Sequence, residues 1–227
     1  CCGFTARMQT PISIIQNGQH LWLSSERCIY WEEEKTLILS DLHFGKTGHF
    51  RKAGIAVPQN LYKDDLHRLI QLIQHFQPDN LLIVGDLFHS EANKELDLFK
   101  RWRNDFEKLS IQLVKGNHDI LTNDWYKDAN LTIHPQTLSI HPFLFTHDVT
   151  QTSFNQPPVP YIFSGHIHPG IRINGGGRQS LRFACFYFSK EYAVLPAFSR
   201  FTGTYLVEPK PSETVFAIID NTIVQLQ

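Results

Sequence analysis

Three runs in the first half of the chain constrain its fold most: Thr36-Leu-Ile-Leu-Ser-Asp41, Asn80-Leu-Leu-Ile-Val-Gly-Asp86 and Ser110-Ile-Gln-Leu-Val-Lys-Gly116. Short, almost unbroken apolar runs of this kind read as strands buried on both faces. Between the first two, Leu66, Leu69, Ile70 and Ile73 fall at i, i+3, i+4 and i+7, with Tyr62 and Phe76 on the same stripe. That spacing predicts a helix over 60–76, stopped by Pro78. A second helix is predicted over 92–109. Strand and helix in alternation imply a mainly parallel sheet. Three further strands are read ahead of it, over 12–15, 20–23 and 28–31. The second half changes character. Short strands follow one another over 137–140, 143–146, 161–164, 181–188, 192–195, 204–207 and 214–219, separated by Pro, Gly and Asn. This half predicts a second sheet packed on the first. Residues 8–227 read as a single domain. Residues 1–7 precede the only methionine, Met8, and read as a remnant or disordered N-terminus ahead of the true start.

The polar residues fall where the strands end. Asp41 and His43 follow the first run, Asp86 the second, and Asn117 and His118 the third. His147 follows Phe143-Leu-Phe-Thr146, and His166 and His168 follow Tyr161-Ile-Phe-Ser164. Open α/β sheets bind ligands outside the carboxyl ends of their strands. The chain therefore delivers two Asp, one Asn and several His to one rim. Imidazole and carboxylate together suit divalent Mn, Fe, Zn or Ni better than Ca or Mg. Two ions about 3.5–4 Å apart need a shared negative charge. Asp86, on a central strand, is the expected bridge.

Other chemistries find less support. No C-x-x-C pair is present among the four cysteines, so a thiolate zinc site is not expected. Gly175-Gly-Gly-Arg178 lacks the Lys-Ser/Thr of a P-loop and reads as a hairpin turn, and no G-x-S-x-G occurs. No apolar run approaches the ~20 residues that span a bilayer, and no signal segment opens the chain, so a cytoplasmic location is expected. The net charge of −1 is uninformative, but its distribution is not. Residues 165–204 carry Arg172, Arg178, Arg182, Lys190 and Arg200 against the single acid Glu191. Such local patches can meet a phosphate-rich substrate without a basic pI.

Asp41-Leu-His43, Gly85-Asp86, Gly116-Asn117-His118-Asp119, His147 and Gly165-His166-Ile167-His168 together resemble the ordered signature of calcineurin-like metallophosphoesterases. The resemblance implies a four-layer αββα sandwich, in which two mixed β-sheets are flanked by helices. It implies one metal on Asp41, His43, Asp86 and His168, and a second on Asp86, Asn117, His147 and His166. His118 would act on the substrate, stabilising the transition state or protonating the leaving oxygen, with Asp119 as its orienter. A narrower likeness is to the ligase-associated DNA damage response endonuclease subfamily, PdeM. It rests on Leu42-His43-Phe44-Gly45-Lys46, Phe50-Arg51, Gly54-Ile55, Val57-Pro58, Gly85-Asp86-Leu87-Phe88-His89-Ser90, Gly165-His166-Ile167-His168-Pro169 and Leu195-Pro196-Ala197-Phe198. Asp148 departs from the subfamily, where Glu-Pro often follows the His at position 147. This likeness implies a manganese-dependent phosphodiesterase, encoded with a DNA ligase and a helicase-like protein.

The expected reaction is hydrolysis of a phosphodiester through a metal-bridged hydroxide, with DNA as a candidate substrate. His89, Lys46 and Arg51 are candidate substrate contacts. A phosphomonoesterase or nucleotide phosphatase is the alternative, since the same metals serve it. A binding module on an inactive fold is the third reading, and it would be marked by a lost ligand.

Overall fold

Leu37 and Leu39 point to one side of their strand and Ile38 to the other, and all three are fully buried. The same alternation holds for Leu81 and Ile83 against Leu82 and Val84. Each of these strands must therefore be covered on both faces. The computed structural model describes residues 9–44, 61–88, 93–151, 160–175 and 180–226. Among them, helices cover one face and a second sheet covers the other.

The first sheet has seven strands in sequence order: β1 (Ile12–Gln16), β2 (Gln19–Ser24), β3 (Cys28–Trp31), β4 (Thr36–Leu39), β5 (Asn80–Val84), β6 (Ser110–Val114) and β7 (Thr132–His134). The pairs from β1 to β4 are antiparallel. Those from β4 to β7 are parallel. The β1–β2 turn is Asn17-Gly18, both with positive φ, the pairing that a two-residue hairpin favours.

Helices α1 (Leu61–Phe76) and α2 (Asn93–Asp105) make the crossovers between β4, β5 and β6. They bury Leu69, Leu72, Ile73, Leu96, Phe99 and Trp102 against the Leu37, Leu39, Leu81 and Ile83 face. The short helix α3 (Asn123–Asp128) adds Tyr126 to that core, and Thr122 caps its N-terminus by accepting from the Trp125 N–H. Helix α2 is shorter than the predicted 92–109. Phe106 and Leu109 keep the apolar spacing, but the backbone leaves the helix in turns that bond Phe106 N–H to Arg103 O and Leu109 N–H to Phe106 O. The Arg103 guanidinium closes this end by donating to Phe106 O.

The second sheet has nine strands: β8 (Thr137–Ile140), β9 (Phe143–Thr146), β10 (Tyr161–Ser164), β11 (Pro169–Asn174), β12 (Ser180–Phe188), β13 (Tyr192–Val194), β14 (Tyr205–Leu206), β15 (Thr214–Ile219) and β16 (Thr222–Gln225). Its path runs β14-β11-β12-β13-β10-β9-β8, with β15 and β16 branching from β12. Between the sheets, Trp31, Ile38, Leu82 and Val84 meet Phe143, Phe145, Phe163 and Phe186. This is the two-sheet α/β sandwich expected from the sequence. Strand β9 pairs in parallel with β10, and β10 with β13.

Candidate metal centre

Strands β4 and β5 remain side by side past their last ladder residues. Asp41 N–H donates to Gly85 O, His43 N–H to Asp86 O and Phe44 N–H to Leu87 O. The second sheet reaches the same place, since Gly165 N–H donates to His147 O and His166 N–H to a carboxylate oxygen of Asp41 at 3.2 Å. The ends of β4, β5, β6, β9 and β10 thus share one rim. The structure brings together all seven predicted metal ligands and His118 there.

Two groups of atoms converge. In the first, Nε2 of His43 and Nε2 of His168 face each other at 3.3 Å. Asp41 Oδ1 lies 3.3 Å from the His168 nitrogen and 4.0 Å from that of His43. This oxygen is buried and has no hydrogen-bond partner. A buried carboxylate oxygen without a donor is costly, and a cation among these three atoms would offset that cost. In the second group, His147 Nε2 lies 3.1 Å from Asn117 Oδ1, 3.2 Å from His166 Nδ1 and 3.4 Å from Asp86 Oδ2. Asp41, His43 and His168 could hold one ion, and Asp41, Asp86 and His147 another. Asp41 is common to these two groups, and Asp86, the bridge expected from the sequence, adjoins His147 in the second. The His118 backbone N–H donates to Asp86 Oδ1 at 2.9 Å, and Asp86 Oδ2 stays turned to His147. Both carboxylates lie between the imidazole groups.

Burial penalises charge on Asp86 and on His147, and their mutual contact outweighs it. The Asp86 carboxyl is held down at about 2. The His147 imidazole is raised to about 9, through its hydrogen bond to Asp86 and the charges of Asp41 and Asp86. The pair must release that proton before the His147 lone pair can serve a metal.

Three glycines make the approach of these side chains possible. A Cβ on Gly85 would overlap the His147 ring, one on Gly116 would overlap Asp86 Oδ1, and one on Gly165 would lie 2.6 Å from Asp41 Oδ2. Each precedes a predicted ligand and leaves room for a ligand from another strand, which for Gly85 and Gly165 belongs to the opposite sheet. Asp41, His43, Asp86, His166 and His168 also have positive φ, between 49° and 71°.

The remaining predicted residues differ in placement. The His118 side chain is 41% exposed, against 3% for Asp86, and its Nε2 lies 4.0 Å from Asp86 Oδ2. It therefore borders the centre from the solvent side. Both oxygens of Asp119 accept backbone N–H groups, from Phe88 at 3.1 Å and Gly116 at 2.9 Å. Asp119 thus braces the turn that carries Asn117 and His118, and burial pushes its carboxyl up to about 6. His89, Lys46 and Arg51 lie outside the described residues.

The sequence reading missed the brace behind Asp41. Phe198 N–H donates to Ser40 O at 2.8 Å and Ser199 N–H to Asp41 O at 3.2 Å. The Arg68 guanidinium lies 4.3 Å above the Phe198 ring and bonds Asp65, Glu26 and Phe198 O. Arg27 donates to Ala197 O and Ser199 O. The one sequence signal for this segment is the Leu195-Pro196-Ala197-Phe198 motif. A cavity of about 440 Å³ also adjoins Asn117, His147 and His166, with Lys115, Gln136, Asp148 and Gln151 in its wall.

Residues 34–138 match the family model of calcineurin-like phosphoesterases. That segment holds Asp41, His43, Asp86 and Asn117. Among solved structures, the crystal structure of the nuclease MPE from Pseudomonas putida matches with a TM-score of 0.80 and 26% sequence identity. The match covers 95% of this chain and 100% of that one. No curated protein sequence matches the chain. With a family match over residues 34–138 and a structural match over 95% of the chain, the chain carries a calcineurin-like phosphoesterase domain and is a metal-dependent phosphoester hydrolase.

Proposed function

We propose that the protein is a dinuclear, manganese-dependent phosphodiesterase that acts on DNA in the cytoplasm, as one domain over residues 8–227. The observation that carries this reading is the convergence of two buried carboxylates and four imidazoles, with Asp41 Oδ1 lacking any hydrogen-bond donor. Asp41, His43, Asp86 and His168 would hold one ion, and Asp86, Asn117, His147 and His166 the other. When bound, two divalent ions acidify a water and balance charge on the phosphoryl oxygens. The chain itself fixes the geometry: Asp119 holds the turn, and His118 faces the phosphoryl group and gives a proton to the leaving oxygen. The resemblance to the ligase-associated subfamily and the likeness to a nuclease support a role in DNA repair beside a ligase and a helicase-like protein.

Asn117 and His118 are neighbours with different tasks. Asn117→Ala is expected to weaken metal affinity by about tenfold or more. His118→Ala is expected to keep its metal and lower kcat by roughly 10²–10⁴. Metal content after dialysis and kcat at saturating Mn separate the two, and equal metal loss in both would show that these roles are misassigned.

The charge around the centre favours a diester. A monoester dianion carries about one more negative charge and calls for several cations beyond the metals. Among the described residues, the charged side chains of the adjoining cavity, histidines apart, are Lys115 and Asp148, which cancel. Asp148 stays anionic: its cost of burial is outweighed by hydrogen bonds from Thr150 and Gln151. With Mn at one pH, kcat/KM for bis-p-nitrophenyl phosphate is expected to exceed that for p-nitrophenyl phosphate by about tenfold or more. A preference for the monoester would replace this reading with that of a phosphatase.

A further inference from the structure

The β11–β12 ribbon leaves the second sheet beside the metal centre. Strand β11 begins one residue after His168, and Tyr205 N–H holds His168 O at 3.0 Å. Arg172 and Arg182 are direct cross-strand partners on this ribbon, and both are exposed. Like charges placed directly opposite each other destabilise a sheet. No acidic residue occurs from Pro169 to Ser189 to relieve them. The arginine ion pairs among the described residues are those of Arg68 and Arg200.

The direction of the pair follows from the pleat. Side chains alternate along a strand, so Arg182, Ala184 and Phe186 share one face. Phe186 lies in the core between the sheets, with Ile38, Leu82 and Val84 of the first sheet. The two arginines therefore stand on the side of the ribbon turned toward the sheet that supplies Asp41, Asp86 and Asn117. Arg172 lies four steps along the strand from His168, a span of roughly 13 Å. Consecutive phosphates of one DNA strand lie farther apart than their rise of about 3.4 Å along the duplex axis, so the pair is within a few phosphates of the centre.

We propose that Arg172 and Arg182 form a rest for the phosphate backbone of a DNA strand that runs from the metal centre along the β11–β12 ribbon. The proposal assigns the occupant within the nuclease reading and rests on that reading. Phosphates would relieve a repulsion that no carboxylate among the described residues relieves by an ion pair. The arginines supply affinity for the polymer and take no part in bond cleavage, so a small diester never meets them.

The test is the double variant Arg172→Gln/Arg182→Gln. DNA binding is measured by fluorescence anisotropy across a salt series, on protein without added metal and with the inert ion Ca. Hydrolysis of DNA and of bis-p-nitrophenyl phosphate is measured with Mn. DNA affinity is expected to fall by roughly tenfold or more, and the slope of log K against log salt to shrink by about 0.7–0.9 for each lost phosphate contact. The kcat/KM for the small diester should stay within twofold, and Tm should not fall, because a like-charge pair has been removed. Unchanged DNA affinity and slope would overturn the proposal. So would an equal loss on both substrates, which would make the ribbon a part of the fold alone. A parent protein that cleaves the small diester and neither binds nor cuts DNA would overturn the rest while sparing the phosphodiesterase. Absence of diesterase activity would instead remove the underlying reading.

Discussion

The Gly85→Ala protein is expected to unfold well below the parent and to lose its activity. Two effects add. Gly85 has φ of +81°, where an L side chain is strained by about 1–2 kcal/mol. The new Cβ would also overlap the His147 ring and lie 2.8 Å from the Cβ of His147, too near the backbone for the imidazole to swing clear. Overpacking of this kind costs roughly 1–3 kcal/mol. A combined loss of about 3 kcal/mol lowers Tm by roughly 6–12 °C in a chain of this size. The displaced imidazole belongs to the centre, and a 1 Å misplacement alone can cost about 10²-fold in rate. Gly18→Ala is the control. Its φ is +77°, with nothing within 4 Å of the added Cβ. It shares the backbone strain without the clash, and should lower Tm slightly and leave kcat/KM unchanged. Thermal melts and diesterase assays of both variants check this, and a Gly85→Ala protein as active as the parent would refute the placement of His147.

Asp86→Asn should remove activity with little effect on the fold. Both oxygens of Asp86 are engaged: its Oδ1 accepts the His118 N–H, and its Oδ2 faces His147 Nε2 at 3.4 Å. Asparagine keeps the shape and can still accept the backbone bond. It removes the negative charge that two neighbouring cations require. Activity on bis-p-nitrophenyl phosphate should drop by about 10³ or more, on the scale of losing a principal electrostatic group. Metal content should fall while the far-UV spectrum is unchanged. Retention of a tenth of the parent activity would place the shared charge elsewhere, with Asp41 the leading candidate.

The centre was legible in the sequence because apolar runs stopping at Asp, Asn or His announce strand ends, and strand ends in α/β sheets converge. The parallel part of the first sheet followed from the same pattern. Strand β11 was not read, because Pro169-Gly170 looks like a breaker. Proline is tolerated at the first residue of a strand, which is its place here. Strand β7 has three residues, too few to show a period. The end of α2 was overrun because Phe106 and Leu109 continue the stripe after the backbone has turned. The brace on Ser40 and Asp41 joins residues more than 150 positions apart, and no local pattern encodes such a contact.

The left-handed backbone at Asp41, His43, Asp86, His166 and His168 narrows the vocabulary at the rim. Glutamate binds metal as well as aspartate does, and cysteine better for some ions, but neither shares the tolerance for φ near +50° that Asp, Asn and His show. The main chain has therefore filtered the choice of ligand before any ion arrives. Randomised at these five codons, the gene should yield folded protein with Asp, Asn, His or Gly far more often than with Glu. Survivors that still turn over substrate should come from the first three alone. A longer carboxylate is disfavoured by conformation before chemistry enters, so redesigning this centre for another metal begins with the turns.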